Sequence, residues 1–595
     1  MSHVARPSQL IALAAATLLS FASQTATVAQ QTFAEQTLAA ASTAPARPAD
    51  AADKDLPPEV ALIDAAIAQG WADAKLSPSS PASDGEWCRR VYLDLLGRIP
   101  TVTELRQYFT DRKRDKRARL VDRLLGPEYR NEYVNHWTTV WSNLLIGRTG
   151  GMDRRSLTSR EGMQEYLREA LAYNRPYDQM MRELVTATGA CRPEDKNFNG
   201  AANFLADKME ENGVQATAKT AQVFLGMAVQ CTQCHNHPFN EHQQNQFWEL
   251  NAFFRQTRTR RIRLDDQRQR FAGRVVDRDY RGETGDIAKA DLFYELRNGQ
   301  MKVAYPVFVD GTSLTEIYEE QGKKAGVEDL GDSGKLSDVN RREELAKLIA
   351  GSREFDQAIV NRMWGHFFGY GFTKPVDDIG PHNTPSHPEL LDQLGQSFRR
   401  SEFDLKQLMR WIALSEAYSL SSRTTKRNEA DDPTLGARPM FSHFYLRQME
   451  AEQLYESLLV ATAADQTVES DERRDEVRER WLRQFNNAFG TDDGGESTSF
   501  NGTIPQALAL MNGPLVKRAT GNQRGSMLAW VAEHPKMNNA EKIRYLYLAA
   551  LSRRPTKPEI SLSNELLAAR DGNVGAALQD IWWALLNSNE FILIH

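Results

Sequence analysis

Two thiols and an imidazole stand together at Cys231-Thr-Gln-Cys234-His235. Two cysteines three positions apart with histidine next form the attachment sequence of c-type haem. Each thiol adds to one haem vinyl group, and the adjacent imidazole reaches the iron as an axial ligand. With four cysteines and eleven histidines in 595 residues, an accidental match to this order is rare. Two other chemistries use the same residues: a Cys231–Cys234 disulfide, or a divalent metal held with His235 and His237. His242 lies close enough in sequence to join such a site. No second cysteine pair follows at the spacing of structural zinc sites. A haem iron here has His237, His242 or a methionine as its candidate sixth ligand, or none.

The elements around the motif set its frame. Val223, Phe224, Met227 and Ala228 give Gln215–Gln230 a helical apolar spacing, which predicts a short helix running up to Cys231. His237-Pro238-Phe239 follows, and Phe247-Trp248 with Phe253-Phe254 predicts a second helix. The stretch FLGMAVQCTQCHNHPF followed by FWELNAFF resembles the planctomycete cytochrome-associated secreted domain of unknown function. RRVYLDLLGRIPTVTEL at Arg89–Leu105 resembles it too. NRMWGHFFGYGFTKPVDDIG at Asn361–Gly380 resembles that domain's usual C-terminal partner, the planctomycete secreted domain. Together the two cover most of residues 60–595. The resemblance implies an architecture and an exported location, and brings no established reaction with it.

Residues 1–29 read as a secretory signal: Arg6, a short apolar run at Leu10–Ala22, and small residues at Thr27-Val28-Ala29. That run is too short to span a membrane, and no other run is apolar enough, so no span is expected after cleavage. An exported chain meets the compartment in which disulfides form and persist. Cys88 and Cys191 are then candidates to pair with each other or to be buried singly. The formal charge of −6 becomes −7 once Arg6 is lost, a mildly acidic balance that argues against nucleic acid as a partner. The expected partner is an envelope or redox protein, and the expected location is periplasmic or extracellular.

Residues 30–57, rich in Ala, Thr, Pro and Asp, read as a flexible tether. A helical module follows at Arg89–Trp141, where Gly97 and Pro100 stop one helix and Thr101-x-x-Glu104 starts the next with a capping box. Tyr92-Leu93, Leu96, Arg98, Pro100-Thr101 and Glu104 recur as Tyr547-Leu548, Leu551, Arg553, Pro555-Thr556 and Glu559, at one constant offset. The helix ends also match, with Glu128-Tyr129 set against Glu590-Phe591. Related ends stand at Leu348–Phe355 and Leu414–Tyr418. A repeated helical hairpin is therefore expected. Asn298-Gly299 between two alternating runs predicts a β-hairpin, and Arg447–Val460 a helix carrying Glu450 and Glu452. Asn512-Gly513-Pro514 reads as a helix stop.

Two further clusters invite chemistry. Asn361, Arg362, Trp364, His366, Asp377, Asp378 and His387 fit the pattern of the second family, and His382 does not. Adjacent carboxylates near histidines can bind a divalent ion or do acid–base work. They also suit an Arg362–Asp377 ion pair with helix caps, and Ser386-His387-Pro388-Glu389 reads as a helix start capped by Ser386. Arg255–Arg274 is dense in arginine. In an exported chain it suits haem propionates, an anionic glycan or a solvated strand face better than nucleic acid. No Gly-rich phosphate loop, nucleophile elbow or His-Glu-x-x-His motif is present.

The expectation is a mainly α-helical chain of tandem helical modules with a repeated hairpin and a small β-hairpin insertion. Residues 58–255 form the first domain with the Cys-x-x-Cys-His motif, 256–325 the β-containing insertion, and 337–595 the second helical domain. The function expected is that of a c-type-haem-like protein in electron transfer or another redox role, with covalent haem c on Cys231, Cys234 and His235. An envelope binding or scaffold protein with a Cys231–Cys234 disulfide and a metal-dependent hydrolase are the alternatives.

Overall fold

The computed structural model describes residues 56–153, 155–238, 240–265, 270–277, 293–314, 340–468, 470–489 and 513–595. The expected signal and nearly all of the tether lie outside the described residues, as do residues 278–292 and 315–325 of the expected insertion. The described chain is mainly α-helical, with small antiparallel sheets.

The first half builds helices α1 (Pro58–Asp73), α2 (Asp84–Leu96), α3 (Val102–Thr110), α4 (Lys116–Leu124), α5 (Arg130–Ile146), α6 (Arg160–Ala172) and α7 (Tyr177–Thr186). Short polar side chains set their ends. The Ser83 hydroxyl accepts the Glu86 amide to start α2, and Gly97, at φ 72°, lets the chain leave it in a left-handed turn. Strand β1 (Gly189–Ala190), helices α8 (Val214–Thr220) and α9 (Gln244–Ala252), and strands β2 (Thr257–Asp265) and β3 (Arg270–Asp277) follow. The arginine-rich stretch is thus a strand pair, with Arg260 opposite Arg274, and β3 also pairs with β1. Asn298-Gly299 does turn a hairpin, between β4 (Phe293–Glu295) and β5 (Met301–Val303).

The second half comprises α10 (Arg341–Gly351), α11 (Arg353–Phe368), α12 (Pro388–Arg400), α13 (Leu405–Leu414), β6 (Arg447–Gln448), α14 (Ala451–Thr462), α15 (Asp471–Phe489), α16 (Pro514–Ala519), α17 (Met527–Glu533), α18 (Asn539–Leu551), α19 (Lys557–Ala569), α20 (Val574–Leu586) and β7 (Leu593–Ile594). One expectation changes here. Arg447 and Gln448 are extended and pair with β7, so the helix begins at Ala451, behind a Glu450–Gln453 capping box. Gly513-Pro514 opens α16, because proline at the first helical position gives up no hydrogen bond; the segment expected to stop there lies outside the described residues.

The repeated hairpin is present as α2–α3 and α18–α19. Thr101 and Thr556 both sit in capping boxes, with Glu104 and Glu559 as reciprocal partners. Each copy closes with an arginine clasp. Arg98 donates to Glu104 at 2.9 Å and Glu132 at 2.5 Å, and Arg553 to Glu559 at 2.7 Å and Glu590 at 2.6 Å. The acid that plays the part of Glu590 in the first copy is therefore Glu132 and not Glu128, which lies in a 3-10 turn at Pro127–Tyr129. The two middle helix ends share only a local device. Ser352, Ser415 and Ser588 each accept the amide of the aromatic residue three positions on.

One continuous apolar core, from Val60 to Ile594, draws on both halves. Helix α1 packs on α12 and α13, and α7 packs on α10. Fully buried Arg342 of α10 donates to the Val185 and Ala187 carbonyls at 2.7 and 2.9 Å, and to Asp277 at 2.7 Å. The halves therefore share their interior.

Candidate functional site

Helix α8 does not run up to Cys231. It passes into a wide turn at Ala221–Leu225 and ends at Gly226, whose φ of 64° is left-handed. The second half holds that end. The Ile379 amide donates to the Gly226 carbonyl at 2.8 Å, and Arg362 donates to the Gln222 carbonyl at 3.2 Å. A Cβ at position 226 would lie 3.0 Å from Ile379 Cδ1 and 3.3 Å from Ala358 Cβ, so glycine also meets a close approach.

The motif then forms one 3-10 turn, Gln230–Gln233. Thr232 is buried and anchors it, donating to the Val229 carbonyl at 2.6 Å, while Cys231 and Cys234 point to solvent as free thiols. The Gln233 carbonyl accepts from Trp248 Nε1 at 3.0 Å and Gln244 Nε2 at 3.3 Å, both on α9. Gln244 also donates to the Glu295 carbonyl of β4, and Trp248 stacks on Tyr294. The motif turn, α9 and the β4–β5 hairpin are thereby one unit. His235 is half-exposed, with Nδ1 2.7 Å from the Asn236 carbonyl oxygen. A carbonyl only accepts, so Nδ1 carries the proton and Nε2 is the basic nitrogen. This places two thiols and one basic imidazole nitrogen on a single exposed segment.

His237 serves the following turn. Its Nδ1 accepts the Asn240 amide at 3.1 Å, and its own amide donates to the His242 carbonyl at 2.8 Å. His242 meets His382 of the second half edge to face, ring centres 6.0 Å apart, and His382 Nε2 lies 2.9 Å from Asp378 Oδ1. Burial pushes the His242 imidazole below its ordinary value, and the neighbouring His382 pushes the same way. Among the described residues, no three His, Cys, Asp or Glu side chains are placed to share a metal ion.

The remaining candidates of the second half make contacts within the fold. Arg362 pairs with Asp377, as the ion-pair reading expects. Buried Asn361 donates to Thr373 Oγ1 and the Val376 carbonyl and accepts the Phe372 amide, which folds the loop after α11 back onto it. Trp364 stacks on both Phe368 and Phe372. The Ser386 hydroxyl contacts the His387 ring and does not cap α12, whose capping position is His387 itself with Pro388 next. Cys88 and Cys191 are both buried free thiols and do not pair.

A buried polar cluster was not legible in the sequence. Asp94 of α2, fully buried, pairs with Arg447 and accepts the Tyr418 hydroxyl at 2.5 Å. Its backbone carbonyl lies 3.3 Å from His366 Nε2, and His366 packs against His136 and Trp137. Burial holds His136 down to about 4 and His366 well below its ordinary value. The one available signal was a charge, Asp94, inside the apolar run Tyr92–Leu96. A carboxylate there has to be paired.

Residues 62–259 match the model of PSCyt2, a protein of unknown function (DUF1549), and residues 341–567 match that of PSD1, a protein of unknown function (DUF1553). The chain carries these two domains in tandem. No curated protein and no solved structure matches it. The motif lies in the PSCyt2 domain, and the residues that grip its base, Arg362 and Ile379, lie in PSD1. The His242–His382 contact joins the same two domains.

Proposed function

We propose that the chain is an exported c-type haem protein with an electron-transfer or other redox role. Cys231 and Cys234 would be the thioether links and His235 the proximal ligand. The observation that carries this reading is the state of the three side chains: two thiols outside any disulfide and open to solvent, beside an imidazole whose Nδ1 is committed to the Asn236 carbonyl. A haem-ligating histidine needs that division, with one nitrogen fixed by a hydrogen bond and the other facing the metal. When bound, the group would supply a one-electron couple. The chain's own residues orient the attachment turn through Gln233, Trp248 and Gln244, and brace it against PSD1 through Gly226 and Ile379.

The test is a pyridine haemochrome spectrum of protein made in a host that attaches haem to exported chains. Haem that survives denaturation is the expected result. Cys231→Ser and Cys234→Ser should each leave haem held by one thioether, and His235→Ala should keep attachment while removing the proximal bond. A wild-type chain without haem, with both thiols oxidised to a disulfide, would overturn the reading in favour of an envelope binding module.

A further inference from the structure

The sheet that contains the arginine-rich strand is open along one side. Its order is β1-β3-β2, so β2, nine residues long, is an edge strand. The register decides which of its backbone groups face outward. Arg261 lies opposite Gly273 of β3. The Gly273 amide donates to the Leu157 carbonyl at 3.0 Å, and the Gly273 carbonyl accepts the Cys191 amide at 3.0 Å. Gly273 thus spends both groups on the side away from β2, and in an antiparallel ladder the residue opposite turns its own groups the other way. Arg261 and, two positions before it, Thr259 therefore point their amides and carbonyls out from the sheet. Among the described residues, none of these four groups has a partner.

A long open edge pairs readily with another strand unless charge or cover prevents it. Here the charge is of one sign. Two copies of β2 set edge to edge would place arginine against arginine, which disfavours self-pairing. An acidic strand meets no such barrier. Alternation puts Arg258 and Arg260 on one face of the sheet and Arg261 and Arg263 on the other. Arg258 and Arg260 are exposed, and among the described residues neither has an ion-pair partner. Arg260 stands opposite Arg274, whose charge is already met by both oxygens of Asp195, at 2.9 and 3.0 Å. The acids Asp207, Glu210 and Glu211 lie towards the other face, where Thr259 Oγ1 donates to the Ala206 carbonyl at 2.7 Å. The face of Arg258 and Arg260 thus keeps its positive charge.

We propose that β2 accepts an extended acidic segment of a partner protein as an added antiparallel strand. The open amides and carbonyls of Thr259 and Arg261 match a peptide backbone, and a sugar or phosphate chain has no corresponding row of donors and acceptors. Thr259 and Arg261 become the hydrogen-bonded positions of the new pair. Arg258 and Arg260 become the positions between them, where side chains approach most closely. An acidic residue opposite each completes a cross-strand charge pair. The segment recognised is therefore one with acids at every second position. Its reach is set at one end by the Thr257 amide, given to the Phe254 carbonyl at 3.0 Å, and at the other by the ladder's irregularity past Arg263. The proposal does not rest on haem attachment.

Fluorescence anisotropy on the full chain tests this with the labelled peptide Gly-Asp-Val-Asp-Val-Asp-Gly. Binding is expected, and the same peptide with Asn for each Asp should bind about tenfold more weakly. Two N-methylated peptides separate strand addition from simple charge attraction. Methyl groups on the valine amides remove the donors that face β2 and should abolish binding, whereas methyl groups on the aspartate amides, which face away, should leave it. The double variant Arg258→Gln with Arg260→Gln should also weaken binding about tenfold. Both side chains are exposed, so its melting temperature, measured alongside, should match that of the wild type. Absence of binding, equal effects of the two methylation patterns, or unchanged affinity in the double variant overturns the proposal.

Discussion

Replacing Arg98 with methionine tests whether the clasp that ends each hairpin copy is a structural unit. The Arg98 guanidinium donates to both oxygens of Glu104, at 2.9 and 3.0 Å, and the two side chains are only 11% and 12% exposed. Methionine retains apolar bulk beside Tyr92 but leaves Glu104 with the Thr101 amide and the Tyr129 hydroxyl as its partners. Removing one member of a buried pair costs about 3–5 kcal/mol. Glu132 is 42% exposed and can be rehydrated, so the lower end, about 3 kcal/mol, applies. Arg553→Met should cost about the same, because Glu559 is 5% exposed. There is also a pH signature. Burial alone would raise the Glu104 carboxyl, but Arg98 outweighs it and holds the group below its ordinary value. A depressed carboxyl contributes stability that is present above the unfolded value, about 4.3, and is lost as pH falls through the folded one. Arg98→Met should therefore flatten the acid limb of the stability profile. Hydrogen exchange at the α3 amides reads this locally, without requiring the whole chain to unfold in one step. A loss under about 0.5 kcal/mol at both sites, the value of an ordinary surface pair, would refute the reasoning.

Three other outcomes are expected. Asp94→Asn leaves Arg447 without its charge partner inside the shared core and should cost about 3–5 kcal/mol, seen as a lower melting temperature and faster proteolysis of the full chain; a change under about 1 kcal/mol would mean the pair is not what joins the two halves. Buried His136, held at about 4 against an ordinary 6.5, contributes stability that is present above pH 6.5 and lost as pH falls towards 4, on the order of 3 kcal/mol; His136→Gln should remove that slope from urea midpoints measured between pH 7 and 4, and an identical slope would count against it. Gly226→Ala meets both a left-handed φ and the Ile379 side chain, so the melting temperature should fall, by about 1–3 kcal/mol of stability, and thiol reagents should reach Cys231 and Cys234 faster in chain made without haem attachment; unchanged melting would show that the turn adapts freely.

What the sequence determined by itself is local. Capping residues and apolar spacing act within a few positions, so Thr101-x-x-Glu104 and its copy at Thr556 define the same hairpin wherever the chain places them. Asn298-Gly299 turns its hairpin for the same reason. The Cys231, Cys234 and His235 set is likewise a short-range pattern, and its chemistry is readable without a fold. Two short-range signals misled where a longer-range partner intervened. The helix expected to reach Cys231 stops at Gly226 because Ile379, far along the chain, takes up its carbonyl. Arg447 is extended because it pairs with the last strand. Tertiary structure alone decided which charges are buried together. Asp94, Arg447, Tyr418 and His366 lie in four separate segments, and nothing in their spacing shows that Asp94 meets the other three, two through its carboxylate and His366 through its backbone carbonyl. Spacing along a chain specifies an element's shape; which elements meet is set by the apolar area they jointly remove from water, a property of the assembled surfaces.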